Sequence, residues 1–130
     1  MPDRIHAFTD DVLGDLDAVG LAAALRAGDL SPREAAEAAS ARVDALTELH
    51  PVAFDDRDRS VKRAVDAPWR ADAPFAGVPT YIKNNTAFAG IPTRHGSAAT
   101  PRRAELTNEP FTEQFLSTGL NVLGASTLPA

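Results

Sequence analysis

Apolar and small residues recur at helical spacing through the first third of the chain, then gather in short clusters broken by Gly, Pro and Asn. Leu16, Val19, Ala23 and Ala27 share one face of a helix predicted to start at a cap on Asp15 or Asp17 and to run to about Ala27. Gly28 stands where a left-handed terminator is expected. Ser31-Pro32-Arg33-Glu34 is the strongest start signal in the chain: Ser31 can accept from the third helical amide, Pro32 suits the first helical position, and Glu34 can reach back to close a capping box. The helix it opens carries Ala35, Ala39, Val43, Leu46 and Leu49 on one stripe, and Pro51 ends it.

Val52-Ala53-Phe54 reads as a short buried strand, and Val61, Ala64 and Val65 as a modest helix stopped by Pro68. Thr80-Tyr81-Ile82, β-branched and aromatic, reads as a strand opened by Gly77-Val78-Pro79 and closed by Asn84-Asn85. Residues 101–108 are polar loop. Thr107 or Asn108 is placed to cap a helix with Phe111, Phe115 and Leu116 inward, and Gly119 ends it. Leu120 to Leu123 is a second buried strand, left through Gly124-Ala125-Ser126-Thr127. Strands alternating with helices predict an α/β fold with a largely parallel or mixed sheet. Residues 1–14, polar and holding Pro2 and Gly14, are expected to form a flexible arm ahead of a domain spanning 15–130.

Composition removes several function classes. A chain of 130 residues with 44% hydrophobic and 24% charged residues fits one globular domain. The net charge of -5 is spread among interspersed acids and bases, so there is no basic face for nucleic acid. The absence of cysteine excludes disulfides, thiolate catalysis and Cys-ligated metals. No apolar run reaches the length of a membrane span, and Met1 to Arg4 open no signal-peptide core, which predicts a cytoplasmic protein. His6, His50 and His95 lack the spacing of a metal site, and Gly90 and Gly96 form no phosphate cradle, so neither metal nor cofactor is expected. The run Asp55-Asp56-Arg57-Asp58-Arg59 reads as a solvated helix start, and Arg102-Arg103 is too short to argue for an anionic partner.

The chemistry concentrates at residues 75–97, FAGVPTYIKNNTAFAGIPTRHGS. There Lys83 ends a strand and faces a loop punctuated by Gly90, Pro92 and Gly96. This block resembles the first signature block of the amidase signature hydrolases, through Gly77, Val78, Pro79, Lys83, Asn85, Gly90, Thr93, Gly96 and Ser97. LDAVGLAAALRAGDLSPREAAEAASARVDAL resembles the helical pair that precedes the block in that family, and FLSTGLNVLGASTLPA the helix and strand that follow it.

The resemblance implies helices plus the first strands of a mixed-sheet α/β/α fold, incomplete in this chain. It also implies hydrolysis of carboxylic amides by a serine nucleophile, a bridging serine held by a cis peptide, and a lysine base. Lys83 falls on the lysine position, and the chemistry requires that lysine neutral, which burial and positive dipoles favour. Gly77, Pro79, Asn84, Asn85, Gly90, Thr93, His95, Gly96 and Ser97 are implied substrate-loop or structural positions. Asn84 stands where the family usually has aspartate. Its amide would remove a carboxylate that stabilises the ammonium form and loosen local hydrogen bonding. After Lys83 the serines are Ser97, Ser117, just ahead of the helix end at Gly119, and Ser126, just beyond the last strand. None falls on either triad serine, so the chain is expected to be an N-terminal piece of an amidase, inactive alone. Small amide substrates would then be turned over only with a C-terminal portion present. The alternative expectation is a short chain that acts by binding a complementary fragment or by self-association through an exposed sheet edge.

Overall fold

The computed structural model describes residues 5–66, 69 and 72–128. Helix α1 (Ala18–Ala27) begins at Asp17, whose carboxylate accepts from Gly20 N at 2.8 Å, and ends at Gly28 with φ 77°. Helix α2 (Pro32–Asp44) opens with the expected capping box, Glu34 N donating to Ser31 Oγ at 3.2 Å and Ser31 N to Glu34 Oε2 at 2.7 Å. The Ser31 N–H on the Glu34 carboxylate, and after it the Ser31 hydroxyl, lower the Glu34 pKa.

The faces differ from the expected ones. Leu21 and Ala22 are the buried residues of α1, while Val19 is 66% exposed. Alanine and leucine surround this short helix on several sides, so spacing alone does not select a face, and packing against Leu13, Leu30, Ala35 and Val78 does. The α2 stripe stops early: Ala35, Ala36 and Ser40 are buried, but the helix ends at Asp44 and Leu49 is exposed in a following 3-10 turn.

Three strands follow, β1 (Val52–Asp55), β2 (Pro79–Lys83) and β3 (Asn121–Ser126), in the order β1-β3-β2. β3 is antiparallel to β1 and parallel to β2, so the sheet is mixed, as expected. Helices α3 (Arg57–Asp66) and α4 (Pro110–Ser117) complete the described elements; Pro68, the expected stop of α3, lies outside the described residues. One face of the sheet packs Leu123 with Ala36 of α2 and Ala64 of α3; the other packs Ile82, Val122 and Ala125 with Phe88, Ile91 and the α4 residues Phe115 and Leu116.

Strict alternation would set Val122 and Ala125 on opposite faces. They share one because β3 carries an extra residue there: Thr80 pairs with Val122, but Ile82 pairs with Ala125. Gly124 occupies this bulge.

Two further expectations are corrected. Asp56 is not solvated but 8% exposed: its amide donates to Leu123 O at 2.9 Å, and its carboxyl lies 3.4 Å from Arg59 and 3.8 Å from Arg63. Burial pushes its pKa up, against the pull of both arginines. The N-cap of α4 is Glu109, without a side-chain cap bond; Asn108 instead accepts from Ala89 N and donates to Glu113, and Phe111 stays exposed.

The segment before α1 makes specific contacts. Asp11 takes two hydrogen bonds from Arg42 at 2.6 and 2.7 Å, and Leu13 beside it is buried. The Arg42 guanidinium holds Asp11 well below the usual carboxylate range, helped by Thr9 and by the amides of Leu13 and Gly14. A depressed carboxylate stabilises the fold above its unfolded pKa and stops doing so as pH falls. The urea-midpoint difference between wild type and Arg42→Gln is therefore expected at pH 7 and should shrink as pH drops below about 4.

Candidate active site

β2 and β3 run parallel and finish together, which brings Lys83 opposite Ser126. In open α/β sheets ligands bind outside such carboxyl ends. Lys83 is exposed, and its backbone carbonyl accepts from Thr86 N at 3.1 Å. The burial expected of a lysine base is not supplied by the described residues. Among the later serines, Ser97 lies in the loop, Ser117 ends α4, and Ser126, expected past the strand, is its last residue.

The next residue fixes the loop. Asn84 is 2% exposed and bonds through all four of its polar groups. Its amide Nδ2 donates to Pro92 O at 2.8 Å, and its Oδ1 accepts from Arg94 N at 3.1 Å. Its backbone N–H donates to Ser126 O, and its carbonyl accepts from His95 N, both at 3.1 Å. The loosened bonding expected of asparagine here is not found. The side chain faces the loop and donates and accepts at once, which no carboxylate can do when ionised. Asn84→Ala strands the buried Pro92 carbonyl and the half-buried Arg94 N–H, so it should destabilise by about 2 kcal/mol. Urea denaturation reads that loss, and faster amide exchange at Arg94 and His95 should accompany it.

The remaining signature positions are placed as follows. Gly77 donates its amide to Gly119 O at 3.0 Å just before Pro79 opens β2. Asn85 is exposed, and its Oδ1 accepts from Thr86 Oγ1. Gly90 donates to Glu105 O at 2.9 Å, which ties the loop to residues 104–105. The Thr93 hydroxyl is enclosed without a hydrogen-bond partner among the described residues. His95 is exposed at φ 51°, followed by Gly96 at φ 74°. Ser97 Oγ accepts from Ala99 N at 3.1 Å, and Thr100 Oγ1 donates to the carbonyls of Arg94 and Ser97.

Sequence reasoning passed over Arg94, which lines open cavities at this strand end together with Asn84 and Arg102. A single arginine between Thr93 and His95 carries no sequence signal; only the folded loop sets it beside Arg102.

Comparison with known proteins decides the kinship. Over 129 residues the chain is 42% identical to a Mycobacterium tuberculosis protein named as an amidase, AmiC, covering 96% of this chain and 26% of that one. The chain is related to the amidases. It is also 30% identical over 128 residues to an acylamidase of Rhodococcus erythropolis, covering 94% of this chain and 27% of the relative. The fold superposes on peptide amidase from Stenotrophomonas maltophilia with a TM-score of 0.72 at 23% identity, covering 90% of this chain and 26% of that structure. No family model matches. The amidase signature resemblance and the α/β fold it implied are thus borne out, and the chain spans about a quarter of the length of these amidases. No helix among the described residues is long and apolar enough to cross a membrane.

Proposed function

We propose that this chain carries the lysine base of an amide hydrolase that works through a serine nucleophile, a bridging serine and Lys83. The observation that carries the reading is the position of Lys83, at the carboxyl end of a strand parallel to the central strand and beside a loop clamped by Asn84. In the proposed step Lys83 Nζ takes a proton from the bridging serine, which takes one from the nucleophile. The nucleophile's oxygen then bonds to the amide carbon, and the C–N bond breaks as the proton returns to the leaving nitrogen.

Both partner serines would come from outside these 130 residues, along with the surface that desolvates Lys83. The sheet supports this division. β1 and β2 are its edges, each with one side unpaired by the described strands, where further strands would add.

The test is to assay ammonia release from carboxamides by the chain alone and by the chain joined to the remaining three quarters of an amidase relative. The proposal expects activity only in the joined protein. Turnover by the chain alone, or none in a joined protein that folds, would overturn it.

A further inference from the structure

We propose that the cavities between the start of β1, the end of β3 and the loop from Pro92 to Arg102 bind a small molecule bearing a carboxylate, held by Arg94 and Arg102. This goes beyond the hydrolase reading and does not rest on it. Two adjoining open cavities, of about 290 and 340 Å³, share Ala53, Asn84, Arg94 and Arg102 in their walls, and neither is lined by an Asp or Glu. Such volumes suit a small ligand.

The charge at this place is unusual for this chain. Its net charge is -5, and Arg33, Arg42, Arg57, Arg59 and Arg63 all stand within 4 Å of a carboxylate. Arg94 and Arg102, like Arg26, Arg103 and Lys83, enter no ion pair among the described residues, but these two line the same cavities. Arg94 is also held in place. Its N–H donates to buried Asn84, its carbonyl accepts from Thr100 Oγ1 at 2.9 Å, and its Nη2 donates to Ser97 O at 3.3 Å. The guanidinium keeps further donors for a ligand, in the planar fork that matches a carboxylate. Phe54 and Pro92 form an apolar wall beside the charges, which suits a carboxylate on a short carbon chain better than a bare inorganic anion.

The experiment is an NMR titration of the isotope-labelled chain with succinate, with neutral succinamide and with inorganic phosphate. Succinate should shift the amides of Arg94, Gly96 and Ser97 saturably, and succinamide should not. Arg94→Gln should weaken succinate binding about tenfold or more, because a charge-assisted fork is lost. Arg103→Gln, which removes equal charge from a residue outside both cavities, should leave it unchanged. Absent shifts, an equal response to succinamide, phosphate binding as tight as succinate, or equal weakening in Arg103→Gln would overturn the proposal.

Discussion

Replacing Lys83 with alanine in an amidase that contains this chain is expected to lower kcat by about 10³-fold or more, with KM little changed. The base acts on a proton in flight and has little to do with holding the substrate, so the loss should fall on turnover. Lys83→Arg makes the test sharper. Arginine keeps the positive charge and much of the length but cannot give up its proton at working pH, so it cannot serve as a base. If Lys83 works by accepting a proton, the arginine variant should be as slow as the alanine one. The rise of rate with pH that a general base produces should vanish in both. An arginine variant that keeps most of the activity would show that Lys83 supplies only charge.

Gly124→Ala is expected to destabilise the fold by about 3 kcal/mol or more, enough to remove much of a small domain's stability. Gly124 lies at φ 157°, and a Cβ built there falls 2.3 Å from the carbonyl oxygen of Phe54 and 3.2 Å from the amide of Asp56. Both atoms are backbone, one within β1 and the other just past it, so no side chain can rotate to make room. The only relief is to separate β1 from β3, which also breaks the Asp56 N–H bond to Leu123. Gly90→Ala is the contrast. The atom nearest its Cβ, at 2.0 Å, is Arg59 Nη1, the end of a flexible, half-exposed side chain. The cost there comes mainly from φ 90° and should stay nearer 1 kcal/mol, about the size of a backbone-conformation penalty. Equal urea midpoints for the two variants would refute the claim that backbone contact decides the effect.

What the sequence made legible was local. The Ser31 box, the Gly28 terminator and the extended run ending at Lys83 each depend on a few neighbouring residues, and each stands where spacing put it. The inward face of α1 was not legible, because an alanine-rich helix offers several apolar sides and the choice is made by Val78 and Leu30, distant in the chain or beyond its end. The partners of Asn84 were hidden for a related reason. Beside Lys83, Asn84 looked like an electrostatic neighbour, whereas its partners are Pro92 and Arg94, across a loop whose path spacing does not reveal. The bulge at Gly124 was similarly hidden, since it exists only relative to β2.

The strand order has a consequence for how the chain is made. β3 lies between β1 and β2 in space but follows both in sequence. During synthesis, neither earlier strand has its partner among the described strands until Asn121 to Ser126 has emerged, so these three strands cannot pair hairpin by hairpin and come together in one long-range step. Until then Phe54 and Ile82 have no Ala125 to cover them, and a nascent chain stalled before residue 121 should be a preferred client for chaperones and proteases.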